Sequence, residues 1–241
     1  MRDETKALKE PGDSGAESES RGAAPEANPA KIEPWETVGS EPAGNFRVFT
    51  IRSDRRVSPR TKRVHDFYVI DCVDWVNVIA TTAADDLVMV EQYRHGSNTV
   101  ELEIPGGMID PTDASAEVAG VRELREETGY EGENARILGE VFPNPAIMSN
   151  RCFTILVENC VCRHSIHLDD GEDVLTRLVP IADIPRLVAS GKIRHSLIIA
   201  ALYHYDLRRH NVGVSPALFS ATPPSPTAER VRTHPNPQLR A

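Results

Sequence analysis

Apolar and polar positions along the chain fall into short blocks that predict a run of strands, a central helix, more strands and two closing helices. Strand-like stretches cover residues 64–71, 73–80, 87–93 and 99–104. In the last of these, Val100, Leu102 and Ile104 alternate with Thr99, Glu101 and Glu103, the period-2 pattern of a strand with one buried face. A helical pattern over residues 114–128 stops at Gly129, a favourable C-terminal breaker. Strands resume over 135–142, 152–159 and 173–180. Two helices follow, one over 182–190 ended by Gly191, the other over 194–209 with Leu197, Ile198, Ala201, Leu202 and Tyr205 on an apolar face. This order predicts an α+β layered sandwich in one domain, residues 45–211.

The ends read differently. Residues 1–44 hold 10 acidic and 5 basic side chains and 5 prolines, with few large apolar groups. Such a segment buries too little surface to offset its ordering entropy and is expected to stay disordered. Residues 212–241 hold 6 prolines and are expected to form a second solvated tail. No stretch approaches the roughly 18 to 20 apolar residues of a membrane-spanning helix, and the N-terminus lacks a signal-like apolar region, so a cytoplasmic protein without a membrane partner is expected. The 27 Lys and Arg against 36 Asp and Glu give 27 − 36 = −9, which argues against general nucleic-acid binding. Four cysteines are too few for a disulfide framework. Cys160-x-Cys162-x-His164, with His167 nearby, matches no common zinc module, and structural roles are expected there.

The chemistry concentrates between Gly106 and Tyr130. On a helix, Glu123, Glu126 and Glu127 fall within an arc of about 100°, while Val118 and Val121 point to the opposite side. Like charges crowded into the last turns, where the helix dipole disfavours anions, need compensation. Arg122 can pair with Glu126 at i, i+4, and a bound hard cation, Mg²⁺ or Mn²⁺, would answer the remainder. A solvated acidic face is the other reading that the helix alone permits.

The whole segment resembles the Nudix hydrolase box, G-x5-E-x7-R-E-U-x-E-E-x-G-U, where U is a bulky apolar residue. Arg122-Glu-Leu-Arg-Glu-Glu-Thr-Gly-Tyr130 matches its second half at every specified position. The first half departs from it. Counted from Gly107 the glutamate position holds Asp113 and the next spacer is one residue longer, whereas counted back from Arg122 the position holds Ala114. Asp113 or Ser115 can cap the helix in either register. Upstream, Glu91-Gln-Tyr-Arg94 and Glu103-Ile-Pro-Gly-Gly-Met-Ile-Asp110, and downstream Phe142-Pro-Asn-Pro145, are similar to the branch that hydrolyses ADP-ribose and related nucleoside diphosphate sugars. In that branch a glutamate often follows the proline segment as general base, and here the matching position is Asn150. The base must then be another carboxylate, such as Glu126 or Glu172, unless metal-activated water suffices.

The resemblance implies a Nudix-type α/β/α sandwich of mixed sheet with helices on both sides. It also implies Mg²⁺-dependent attack of water on a diphosphate, releasing AMP and a sugar phosphate from ADP-ribose or an ADP-sugar. Glu123 and Glu127 would be metal ligands together with a backbone carbonyl at Gly106 or Gly107, and Glu126 would be either a further ligand or the partner of Arg122. Arg94, Glu103 and Pro145 would meet the substrate, although Glu103 reads equally as an outward-facing strand residue. The N-terminal strands, about 45–80, would mediate a homodimer. Rival substrates are NADH, dinucleoside polyphosphates and coenzyme A, and the rival class is a Nudix-fold module that binds a nucleotide without cleaving it.

Overall fold

A computed structural model describes residues 31–212; the expectations for residues 1–30 and 213–241 lie outside them. Ten strands and three helices follow in order: β1 (Glu36–Asn45), β2 (Thr50–Val57), β3 (Val64–Asp71), β4 (Trp75–Ala80), β5 (Asp86–Arg94), β6 (Thr99–Glu103), β7 (Gly106–Met108), α1 (Ala116–Thr128), β8 (Tyr130–Val141), β9 (Cys152–Cys162), β10 (Val174–Pro180), α2 (Ile184–Ala189) and α3 (Ser196–Arg209). They form an antiparallel sheet β1-β2-β3, a second antiparallel sheet β10-β5-β6, and a four-stranded sheet β7-β4-β9-β8. Its central pair β4/β9 is parallel, with Val76 opposite Phe153 and Val78 opposite Ile155.

Strand β4 explains the layering. Its alternate residues Val76, Val78 and Ala80 join Ala119 and Leu124 of α1 in one core, together with Val88, Phe153 and Ile155. Ile79 points the other way, into a second core with Leu87, Met89, Leu156, Ile193 and Ile198. A strand buried on both faces reads as a continuous apolar run, and the two cores put α1 on one side and α3 on the other. This is the α/β/α arrangement of mixed sheet that the resemblance implies. Among the described residues no helix is long and apolar enough to cross a membrane.

Several expectations need correction. The tail expected through residue 44 gives way to β1 at Glu36, and neither β1, β2 nor β7 stood out in the pattern. β1 is exposed along most of its length and is held by backbone pairing with β2, so it carries no apolar stripe to read. In β6 the alternation is partly inverted: Glu101 and Glu103 are 6% and 1% exposed, while Val100 is 64% exposed. Arginines reverse the expected polarity. Arg194 donates through Nε and Nη2 to Glu101, and Arg94 through Nε and Nη2 to Glu103, so each carboxylate is buried as a pair. In α1, Val118 is exposed; the buried stripe runs through Ala119, Leu124, Glu127 and Thr128.

Candidate active site

Helix α1 begins at Ala116 because Ser115, in extended conformation, accepts a hydrogen bond from the Val118 N–H. It ends because Gly129 takes a left-handed conformation, φ 72°, and returns its N–H to the Arg125 carbonyl. Ser115 is thus the cap, and Asp113 is free for another task. Arg122 donates from Nε to Asp113 Oδ1 at 3.2 Å and from Nη2 to Asp113 Oδ2 at 2.9 Å. Its Nη1 donates to Glu123 Oε1 and Glu126 Oε2, both at 3.0 Å, and Nη2 also reaches the Met108 carbonyl. One guanidinium therefore ties β7, the loop before α1 and two box glutamates together, and these anions raise its pKa, the Asp113 hydrogen bonds most. The Arg122–Glu126 pair was legible from its spacing. Asp113 as the arginine's main partner was not, although its place six residues after Gly107 was the available signal.

The glutamates differ in burial. Glu127 is 3% exposed and accepts the Gly106 N–H through Oε2 at 3.1 Å. Burial pushes its carboxyl up to about 8, with Glu123 and Glu172 adding to the rise against the Gly106 hydrogen bond and Arg94. Glu123 is pushed up to about 7, again by burial first, with Glu126 and Glu172 opposing Arg122. Glu123 lies against β7 so closely that a Cβ on Gly107 would sit 2.5 Å from its Oε1, so a larger residue there would displace the carboxylate. Glu126 is the most open of the three.

Arg94 and Glu103 meet in a two-pronged pair, 2.9 and 2.8 Å, on the sheet beside the helix. That pair raises the Arg94 pKa, and Glu127 and Glu172 contribute to it from nearby. The carboxylate of Glu172, in the loop between β9 and β10, is thereby brought into the same field as Glu123 and Glu127. Its backbone N–H donates to the Asp169 carbonyl at 2.9 Å, and its Oε2 accepts from the Asp169 N–H.

Two predicted positions fall outside this group. Pro145 is exposed in the loop between β8 and β9. Asn150, in the same loop, is fully buried: its Nδ2 donates to the Val73 carbonyl at 3.2 Å, and its Oδ1 is buried without a partner. It anchors the chain rather than facing a reaction.

The Cys160–His167 stretch is structural. Cys160 is buried, and its thiol donates to the Val157 carbonyl. The backbone N–H groups of Arg163 and His164 cap the Gly129 carbonyl, and that of His167 caps the Glu126 carbonyl.

Among the described residues no three Asp, Glu, His or Cys side chains converge tightly enough to form a ready ligand cage. The donor chemistry nevertheless suits a hard cation. Glu127 is buried and Glu123 largely so, both are held as anions only at a cost, and a divalent ion drawing on them, Glu126 and a glycine carbonyl of β7 would remove that cost.

Comparison with known proteins agrees with this geometry. A family profile described as the NUDIX domain matches residues 74–202. An ADP-ribose pyrophosphatase of Mycobacterium tuberculosis is 28% identical over 173 residues, covering 70% of this chain and 81% of the relative. An ADP-sugar pyrophosphatase of Mus musculus is 30% identical over 155 residues, covering 61% and 70%. A solved structure described as an ADP compounds hydrolase superposes with a TM-score of 0.67 at 19% identity, over 76% of this chain and 98% of its own, and shares the fold. With the box helix, its arginine and its buried glutamates in place on this sheet, the chain belongs to the Nudix family and is a Nudix hydrolase.

Proposed function

We propose that the protein hydrolyses the diphosphate of a nucleoside diphosphate linked to a sugar, ADP-ribose or an ADP-sugar first, to AMP and a sugar phosphate. The carrying observation is the group of carboxylates around Glu123 and Glu127, too buried and too crowded to be a solvated helix face, with an arginine beside it. The names of the two pyrophosphatase relatives support the substrate.

Glu123 and Glu127 would hold a divalent cation, with Glu126 and the carbonyl of Gly106 or Gly107 as further donors. When bound, Mg²⁺ or Mn²⁺ supplies neutralisation of phosphate oxygens and a lower pKa for the attacking water. Arg122 keeps Glu123 and Glu126 aimed by holding both from one nitrogen. Arg94 is oriented by Glu103 through Nε and Nη2, which leaves Nη1 to bind a phosphate oxygen. Glu172 is the general base of this proposal, because its charge acts on both buried glutamates and Asn150 cannot accept a proton. Water oxygen bonds to one phosphorus, the bridging P–O bond breaks, the proton passes to Glu172, and the two phosphates separate.

The N-terminal sheet favours a homodimer: Val38 on β1 and Tyr68 on β3 leave apolar surface exposed on it. Sedimentation of the purified protein at micromolar concentration tests this, with a monomer as the contrary result.

Chromatography of products after incubation with ADP-ribose and Mg²⁺ tests the activity. AMP from the wild type, but not from Glu127→Gln, supports it. Binding without cleavage of ADP-ribose, NADH, dinucleoside polyphosphates and coenzyme A alike would favour a non-catalytic nucleotide module.

A further inference from the structure

The chain is acidic, yet one hairpin is strongly basic. Residues 47–65 contain seven Lys or Arg (47, 52, 55, 56, 60, 62 and 63) and one acid, Asp54, a net of 7 − 1 = +6. The rest of the chain therefore carries −9 − 6 = −15. Asp54 and Asp71 engage Arg52, and Asp54 also engages Arg56, inside the sheet. Of the five other cations, Arg60, Lys62 and Arg63 lie at the exposed tip, whereas Arg47 precedes β2 and Arg55 lies within it. The tip is a closed turn: Ser58 N–H donates to the Arg63 carbonyl, Lys62 N–H to the Ser58 carbonyl, both at 2.9 Å, and Thr61 N–H to Ser58 Oγ.

Beside the tip lies a cavity of about 750 Å³, larger than the one of about 330 Å³ next to Glu126. Lys31, Trp35, Arg60, Arg63 and His65 line it, with Glu33 as its acidic lining residue. Trp35 stands edge-on to His65 at 5.7 Å and to Phe67 at 5.4 Å, giving an aromatic wall under a cationic rim. All of this lies outside residues 74–202, the part that matches the family.

We infer that this cavity and the basic tip receive the chain's own acidic, proline-bearing segment, residues 10–30. Three features of the sequence select that occupant. Residues 10–30 carry five acids (Glu10, Asp13, Glu17, Glu19 and Glu26) and one base, Arg21, a net of 1 − 5 = −4 against the hairpin's +6. Pro25 and Pro29 bracket Glu26, and prolines fixed in extended backbone pack on aromatic walls at small entropic cost. Residue 30 is followed directly by Lys31 of the cavity wall, so the segment is tethered to its site at an effective concentration on the order of millimolar, which a free polyanion must exceed.

Carbodiimide cross-linking of the full chain tests this, with peptides read by mass spectrometry in a mixture of light and heavy protein. The expected product joins the Lys62 amine to Glu17, Glu19 or Glu26 within one isotope. Its yield should fall several-fold in 0.5 M NaCl, since contacts between opposite charges are screened, and likewise in Arg60→Gln/Arg63→Gln, which leaves both reacting groups present. No link from Lys62 to residues 10–30 overturns the inference. Links that join light to heavy chains overturn it in favour of a second copy. A yield indifferent to salt and to the double substitution reduces it to chance encounter. A single-stranded oligonucleotide that binds full-length protein at nanomolar concentration and erases the link would assign the surface to a nucleic acid instead. Hydrolysis of ADP-ribose enters none of these readouts.

Discussion

Strand β6 buries two glutamates and helix α1 holds one buried and one largely covered, and the two elements treat them in opposite ways. On β6, Glu101 has Arg194 and Glu103 has Arg94, one arginine to each carboxylate. The Arg194 hydrogen bonds, helped by Thr99, hold Glu101 well below the usual range, at about 2. On α1, Glu123 shares Arg122 with Asp113 and Glu126, while Glu127 has a single backbone N–H and the distant charge of Arg94. Burial then pushes both box carboxyls up, to about 7 and about 8. A buried acid with its own arginine belongs to the architecture. Buried acids left short of positive charge are a standing demand for a cation, and functional sites collect such groups.

Substitutions can sharpen or erase that contrast. Glu127→Gln should show the largest effect, a loss of roughly a thousand-fold in AMP release, because several kcal/mol of transition-state stabilisation go with a metal donor. Glu103→Gln removes a paired charge; with Arg94 part-exposed, it should cost about 2 kcal/mol in urea unfolding. Asp113→Asn, which weakens the two-pronged hold on Arg122, should lower kcat about ten-fold while the unfolding midpoint stays close to wild type, as expected of a group that orients ligands. The smallest effect is in acid. The Glu101 pKa is below its ordinary value of 4.5, so its stabilisation is fully present above about pH 4.5 and is lost as pH falls toward 2. Glu101→Gln should flatten the fall in urea midpoint across that window; an unchanged slope would show that the Arg194 pair does not stabilise the fold.

The same contrast explains what could be read in advance. The box helix was legible because its signals are local: a glycine stop and carboxylates at helical spacing, with the cap left between Asp113 and Ser115 until the structure assigned Ser115. The core strands β4, β5 and β9 were legible from apolar content. β6 was misread because its burial pattern depends on Arg194, 93 residues from Glu101 in the chain, and no period-2 count registers a distant arginine. β1 was missed because it is held by backbone bonds and offers no buried stripe. At the site, Arg94 and Glu103 were picked individually, but their pairing with each other came only with the sheet register. Asn150 drew attention as an unsuitable base; that it is buried against Val73 required the tertiary structure.

Thermal unfolding of the wild type and Glu127→Gln at pH 8, with and without Mg²⁺, distinguishes a cation site from a purely structural acid cluster. An acid whose pKa is raised in the folded state destabilises the fold increasingly from its ordinary 4.5 up toward about 8. Glu127→Gln should therefore melt above the wild type without metal. Mg²⁺ should raise the wild-type melting temperature and leave that of the variant nearly unchanged. A variant that melts below the wild type without metal, together with equal Mg²⁺ shifts in both proteins, would contradict the claim that these buried carboxylates are a cation site.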